Sequence, residues 1–310
     1  MPQLTTKLPR VGVTIFTKMS ALANEHGAIN LSQGFPNFQP DPRLVELAQK
    51  ALADGHHQYA PMTGLPKLRD GIVQMVTDKY DYSFHPKDRL TVTVGASEGL
   101  FSTIAALINP GDEVIIFDPS YDVYQPAVEL AGGVPKIVKL QPPTFGIDWD
   151  AVESAVSDKT RMIVVNTPHN PTGSILSAED LSRLARFAND LDLLVLSDEV
   201  YQHIVYDGQT HHSVLRHPDL RDRAIMVGSF GKSLHITGWK LGYVIAPPNI
   251  TTEMRKVHQY NTFTSGTPLQ HAIANYLEEK PDYYAGIAAL YQEKLDHFRE
   301  RMKATPFEPL

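Results

Sequence analysis

The sequence contains no cysteine among its 310 residues. This absence excludes disulfide bonds, thiolate metal sites and a cysteine nucleophile. Basic residues are also too few for a general phosphate binder, since 28 lysines and arginines stand against 35 acidic residues and leave a net charge of −7. We therefore expect no nucleic-acid partner.

Long apolar runs and export signals are missing as well. The longest uninterrupted run, residues 104–108, has five residues, whereas a membrane-spanning helix needs roughly 18. The first residues include no apolar segment followed by a small-residue cleavage site. The 13 histidines show no HExxH motif and no i,i+4 pair. The sequence predicts a globular cytoplasmic protein that binds neither a membrane nor a metal.

Short apolar runs alternate along the chain with segments of helical pattern. Helices are expected at residues 97–108, 121–130 and 178–190, and later at 268–278 and 282–303. The alternation predicts an α/β fold with a mainly parallel seven-stranded sheet. Most of the strand-like runs lack strict apolar–polar alternation, as expected for strands covered on both faces. They are residues 91–94, 113–117, 134–138, 162–166, 193–197, 224–228 and 242–246.

Ligands of such a sheet bind beyond the carboxyl ends of the strands, and four polar clusters follow predicted strands there. The first cluster, Gly-Ala-Ser-Glu-Gly at residues 95–99, opens a helix. Its small residues leave backbone N–H groups free for an anion, although the cluster taken alone favours a tight turn with Ser97 near the cap. In the second cluster Pro168 and Pro171 restrict the backbone around Asn170, which either orients its amide for a ligand or caps its own turn.

The other two clusters carry groups that ionise. Asp198 directly follows a buried strand, and Tyr201 comes three residues later. Because a buried carboxylate needs a partner and neighbours on an extended chain point to opposite faces, we assign the ligand contact to Asp198 and a structural place to Glu199. Lys232 follows the next strand in a segment poor in charge. Burial there would lower its pKa and prepare it to form a Schiff base with a carbonyl.

Together the four clusters contain the parts that hold pyridoxal 5'-phosphate. They offer a phosphate cradle, an amide and a phenol for the ring oxygen, a carboxylate for the pyridine nitrogen and an imine-forming lysine. The sequence also resembles the fold-type I aminotransferases of class I and II from about residue 7 to residue 302. Within that family it is most similar to the methionine aminotransferases, also described as kynurenine-aminotransferase-like. Residues 7–23, 30–36 and 58–64 carry the resemblance beside the four clusters.

The resemblance implies a role for individual residues around the cofactor ring. Lys232 would be the catalytic lysine that bonds to the cofactor aldehyde, and Asp198 would pair with the pyridine nitrogen. Asn170 and Tyr201 would hold the ring oxygen, and Tyr121 would stack on the ring. The fold that the resemblance implies is the large domain of a fold-type I pyridoxal-phosphate-dependent transferase.

The resemblance also implies contacts to the phosphate and to the substrate. Tyr59 would reach the phosphate of a neighbouring subunit, so that the active unit is a homodimer. Gly34 would lie beside the substrate carboxylate, with Asn170 also touching the substrate. The remaining phosphate contacts would come from Ala96, Ser97, Ser229 and Lys240.

The activity implied by the resemblance is transfer of an amino group from methionine or an aromatic amino acid to a 2-oxo acid. A β-lyase of the same fold, which cleaves cysteine conjugates, uses the same lysine and ring contacts and stays an alternative. A third alternative is a truncated form that binds the cofactor without turnover.

The resemblance divides the chain into three expected regions. Residues 1–40 would form an N-terminal arm and a small-domain piece, residues 41–280 the cofactor-binding large domain, and residues 281–310 an interdomain helix with the start of the small domain. Members of the family bind the substrate carboxylate with an arginine in the C-terminal part of the small domain. No arginine occupies the matching position before residue 310, and we therefore expect an incomplete small domain.

Overall fold

The centre of the protein is one sheet of seven strands, seen in a computed structural model that describes residues 5–34, 36 and 38–307. Phe35, within the stretch 30–36, lies outside the described residues, as do Asn37 and the two ends of the predicted regions, 1–4 and 308–310. In chain order the strands are β1 (Leu90–Thr93), β2 (Glu113–Asp118), β3 (Val134–Lys139), β4 (Thr160–Asn166), β5 (Leu194–Asp198), β6 (Ala224–Ser229) and β7 (Gly242–Ile245). All seven coincide with predicted strands to within two residues at each end.

The order of strands across the sheet is β1-β7-β6-β5-β4-β2-β3. The four pairings among β2, β3, β4, β5 and β6 are parallel, whereas β7 runs antiparallel to both of its neighbours. The prediction of a mainly parallel α/β sheet is confirmed. Since β4, β5 and β6 are parallel and adjacent, their last residues, Asn166, Asp198 and Ser229, lie side by side at one edge of the sheet.

Helices cover both faces of the sheet. In the described residues they are α1 (Ile15–Glu25), α2 (Pro42–Ala53), α3 (Pro66–Tyr80), α4 (Pro86–Arg89), α5 (Gly95–Leu107), α6 (Tyr124–Leu130), α7 (Trp149–Ala155), α8 (Ala178–Asp190), α9 (Phe230–Ser233), α10 (Pro248–Asn261), α11 (Thr267–Glu279) and α12 (Ile287–Met302). The predicted helix 178–190 matches α8. The predicted helix 282–303 is divided into a 3-10 segment, Pro281–Gly286, and α12, and the low helix propensity of Gly286 marks the division.

Strand β4 shows why both faces need cover. Met162 and Val164 belong to one buried apolar cluster, while Ile163 and Val165 belong to the other. Successive side chains of a strand point to opposite faces, so a fully apolar strand requires helices on both sides. The first cluster includes α5, and the second includes α2, α3, α8 and α11. The N-terminal helix α1 differs, because none of its side chains is buried.

The boundaries of the three expected regions stay a prediction. Contacts between α2 and α11 bring residues 42–53 and 267–279 of the predicted large domain together, and the guanidinium of Arg43 pairs with Glu279 at 2.7 Å. Leu290 and Phe298 on α12 are exposed. These two side chains give α12 an exposed apolar surface.

Candidate active site

A cavity of about 760 Å³ opens at the carboxyl ends of β4, β5 and β6. The N-terminus of α5 and residues of the N-terminal arm complete its wall. Every residue that we predicted for the site, except Tyr59, lines this cavity. They are Gly34, Ala96, Ser97, Tyr121, Asn170, Asp198, Tyr201, Ser229, Lys232 and Lys240.

Asp198 ends β5 and is 2% exposed. Its Oδ2 accepts a hydrogen bond of 2.8 Å from the Tyr124 hydroxyl, and its Oδ1 accepts one of 3.2 Å from the Val200 N–H. Burial raises the pKa of the Asp198 carboxyl from 3.8 to about 6, although both hydrogen bonds and the charge of Lys232 act against that rise. A cation that entered the cavity beside Asp198 would compensate its buried charge.

Lys232 lies in α9, the short helix that follows β6 directly. Burial lowers the pKa of its ammonium group, and the nearby charge of Asp198 opposes that change. The Nζ donates a hydrogen bond to the Gly34 carbonyl oxygen and lies 5.4 Å from the centre of the Tyr201 ring. Burial also raises the pKa of the Tyr201 phenol, to about 12. Lys232 is therefore an amine whose neutral form burial favours, next to a phenol that keeps its proton.

The start of α5 forms a narrow cradle of backbone. Gly95 has a φ of +72°, which favours glycine, and the Ser97 hydroxyl lies 3.0 Å from the Tyr121 hydroxyl. A Cβ at Gly242 in β7 would come within 2.7 Å of backbone atoms of this turn. A Cβ at Gly95 itself would lie 3.5 Å from Nζ of Lys240. Free N–H groups at a helix N-terminus beside a lysine are suited to an anion.

Asn166, which our sequence analysis did not single out, joins two of the predicted residues. Its Nδ2 donates to the Asp198 carbonyl oxygen at 2.8 Å, and its Oδ1 accepts from the Asn170 N–H at 2.7 Å. It therefore holds the turn after β4 to the end of β5. The sequence did offer one signal that could have identified Asn166, namely its position as the last residue of an apolar strand. Tyr124 was missed as well, because its hydroxyl reaches Asp198 across 74 positions of sequence.

Glu199 turns away from the cavity, as the alternation argument predicts. Its Oε1 accepts hydrogen bonds from the Ser197 hydroxyl at 2.9 Å and the Val214 N–H at 3.1 Å. Burial raises the pKa of this carboxyl to about 7, and the charge of Asp198 adds to the rise. The residue fastens β5 to the segment around Val214.

Tyr59 is the one predicted residue that the structure leaves outside the cavity of its own chain. Its side chain is 83% exposed and contacts the Phe263 ring edge to face at 5.5 Å between ring centres. Other lining residues were not predicted for the site, among them Thr14, Phe16 and Thr17. These three belong to α1 and the turn before it, and no local pattern distinguishes them from other exposed residues of the arm.

Two further findings concern the described part of the chain as a whole. Among residues 5–34, 36 and 38–307, no group of three histidine, aspartate or glutamate side chains is arranged to hold a metal ion. None of the helices in these ranges is long and apolar enough to cross a membrane.

Comparison with known proteins assigns the family. The model of the family described as "Aminotransferase class I and II" matches residues 26–310. The chain is 48% identical over 291 residues to the methionine aminotransferase of Escherichia coli, which covers 94% of this chain and 75% of that protein. It is 34% identical to the kynurenine–oxoglutarate transaminase of Dictyostelium discoideum, over 96% of this chain and 73% of that protein.

The solved structure of YbdL from Escherichia coli, identified as a methionine aminotransferase, shows the same fold. It superposes on this chain with a TM-score of 0.95 at 47% sequence identity, and the match covers 99% of this chain and 80% of that one. The seven-stranded sheet and its helices are thus those of a fold-type I transferase. The chain belongs to the class I and II aminotransferase family.

Proposed function

We propose that this protein is a pyridoxal-5'-phosphate-dependent aminotransferase that moves the amino group of methionine or an aromatic amino acid to a 2-oxo acid. The observation that carries the proposal is one cavity that contains both Lys232, whose pKa burial lowers, and Asp198, whose pKa burial raises. Methionine comes first because the Escherichia coli relative that acts on it is 48% identical. The kynurenine transaminase supports the aromatic alternative.

The donor set of the cavity fits pyridoxal 5'-phosphate. The N–H groups at the start of α5, together with Ser97 and Lys240, would bind the phosphate. Asp198 would face the ring nitrogen, because among the described residues Lys232 is the one cationic group that acts on its buried carboxyl. Asn170 and Tyr201 would contact the ring oxygen, and Tyr121 would lie against the ring.

When bound, the cofactor supplies an aldehyde carbon that takes up the amino group and a ring that accepts the electron pair left at the substrate Cα. Lys232 Nζ, in its neutral form, would accept the proton from the substrate Cα and would hold it in the cavity for its later return. Asp198 would hold a proton on the ring nitrogen as its ionic partner. The Gly34 carbonyl, which accepts from Nζ in this structure, would orient the amine when it is free.

We further propose a homodimer in which Tyr59 reaches the phosphate of the partner subunit. The exposure of Tyr59, at 83%, and its edge-to-face contact with Phe263 support this arrangement. A phenol that contacts a neighbouring ring and is exposed outside its own cavity would be available to another chain.

The test is the transfer of nitrogen-15 from labelled methionine to a 2-oxo acid by the purified chain with pyridoxal phosphate. We expect labelled amino acid product, and none from the Lys232→Ala variant. A cysteine conjugate is offered in parallel, because a β-lyase would release pyruvate and ammonia from it without transferring nitrogen. Lyase products in the absence of transfer would assign the alternative activity, and transfer that survives in Lys232→Ala would refute the proposal.

A further inference from the structure

A buried hydrogen-bonded couple, Glu98 and His258, lies behind the start of α5 and outside the cavity. The Nδ1 atom of His258 is 3.0 Å from Oε1 of Glu98. The side chain of His258 is fully buried and that of Glu98 is 7% exposed. Glu98 belongs to the first turn of α5, and His258 to the last turn of α10.

Both ring nitrogens of His258 have hydrogen-bond partners. The His258 Nε2 lies 3.1 Å from the Met62 carbonyl oxygen, which only accepts, so Nε2 carries a proton. The other ring nitrogen, Nδ1, faces Oε1 of Glu98 at 3.0 Å and also lies 3.3 Å from the Thr262 hydroxyl. A hydrogen bond in which one partner is ionised is stronger than one between neutral groups.

Glu98 holds the backbone that leads into the cradle. Its Oε2 accepts from the N–H of Val94 at 3.1 Å, and its Oε1 accepts from the Ser102 hydroxyl at 2.6 Å. Val94 immediately precedes Gly95, where α5 begins. The orientation of the free N–H groups in this turn therefore depends on the carboxylate of Glu98.

His258 holds a different segment, the loop that carries Tyr59. Its bond to the Met62 carbonyl anchors the turn of residues 61–64, which is closed by the Gly64 N–H and the Pro61 carbonyl oxygen at 2.8 Å. The same turn joins the sheet through the N–H of Val92, which donates to the Thr63 carbonyl oxygen at 3.1 Å. Tyr59 lies three residues before Met62 on this loop.

We propose that Glu98 and His258 are positioning residues that hold the phosphate-binding turn and the Tyr59 loop in one fixed geometry. The inference rests on the proposed function, because it requires a phosphate at the start of α5. The couple connects two segments of one chain, and each is assigned to a cofactor phosphate. The turn at the start of α5 would bind the phosphate of its own subunit, and the Tyr59 loop would reach the phosphate of the partner subunit. The couple therefore governs how well the protein distinguishes a phosphorylated ligand from one without phosphate.

The experiment compares the affinities of the chain for pyridoxal phosphate and for pyridoxal, which has the same aldehyde and ring without the phosphate. In Glu98→Gln we expect the dissociation constant for pyridoxal phosphate to rise about tenfold, the effect of losing one charge-assisted hydrogen bond. The constant for pyridoxal should change less than twofold, because Lys232 and Asp198 are untouched. Glu253→Gln removes an exposed glutamate from the same helix as His258 and should change neither constant.

His258→Gln tests the couple from the other helix, and it replaces Glu98→Gln if that variant does not fold. It should produce the same selective loss, and the double variant should lose less than the sum of the two singles, because both remove one interaction. Equal weakening for both ligands, or additive effects, would overturn the inference while leaving the proposed function intact. If the unmodified chain binds neither aldehyde through Lys232, the proposed function itself fails.

Discussion

Replacing Asp198 with asparagine should stabilise the cofactor-free protein and at the same time impair its use of the cofactor. The carboxyl group is 2% exposed, and its burial raises the pKa from 3.8 to about 6. Ionising it in the folded protein is therefore harder than in the unfolded chain. The difference of about two pH units between the Asp198 pKa values in the unfolded and folded states corresponds to about 3 kcal/mol of unfolding free energy, at 1.36 kcal/mol per unit.

The pH dependence of this effect has a definite sign. Below pH 3.8 the carboxyl is protonated in both states, and the ionisation penalty is absent. As the pH rises towards 6 the unfolded chain releases the proton first, so the free energy of unfolding of the unmodified protein falls. Asparagine does not ionise and avoids the penalty. We expect the stability advantage of Asp198→Asn to grow by about 2–3 kcal/mol between pH 4 and pH 8.

Urea unfolding of the cofactor-free chain, measured at several pH values, tests this expectation. Asp222→Asn is the matched control, because that aspartate is exposed. The same Asp198→Asn protein should bind pyridoxal phosphate more weakly and convert methionine more slowly than the unmodified chain. A stability difference that is independent of pH, or that becomes unfavourable as the pH rises, would refute our account of the buried carboxyl.

Three further predictions concern the surroundings of the cavity. Tyr124→Phe removes the 2.8 Å hydrogen bond to Asp198 and should raise the Asp198 pKa by about one to two units. Carbon-13 NMR titration of labelled aspartate measures this pKa, and an unchanged titration midpoint would contradict the prediction. Gly242→Ala would place a Cβ 2.7 Å from backbone atoms at the start of α5 and should destabilise the protein by about 1–3 kcal/mol in urea unfolding. Gly238→Ala is the control and should not have this effect, because its Cβ would meet nothing within 4 Å. Tyr59→Phe should weaken pyridoxal phosphate binding about tenfold, the scale of one hydrogen bond to a charged group; no change in a dissociation constant measured by absorbance would remove Tyr59 from the phosphate site.

The sheet was predictable from the sequence because most of its strands are local, apolar and covered on both faces; the edge strand β3, with Val134 and Ile137 exposed, is the exception. An apolar run such as residues 162–166 indicates a strand from its local sequence alone, without knowledge of the strands beside it. The direction of β7 was not predictable in this way. Its antiparallel pairing with β6 and β1 depends on a short connection through residues 230–241, which our reading of periodicity does not resolve.

The cavity was predictable to the extent that its residues follow strands. Asp198 ends β5 and Lys232 lies in α9, the helix that follows β6. The parallel direction of these strands brings the two side chains to the same end of the sheet. Tyr124, Asn166 and the residues of α1 escaped the analysis because their contacts are made between distant segments. The Glu98–His258 couple spans 160 positions and has no local signature at all.

The function proposed for this protein depends most directly on Lys232 as the residue that bonds to the cofactor. The decisive measurement is to incubate the purified chain with pyridoxal phosphate, reduce it with borohydride, digest it and locate the attached pyridoxyl group by mass spectrometry. We predict that the group is on the peptide that contains Lys232, and that Lys232→Ala shows no yellow absorbance band before reduction. Attachment at another lysine, or an unchanged band in Lys232→Ala, would contradict the central claim.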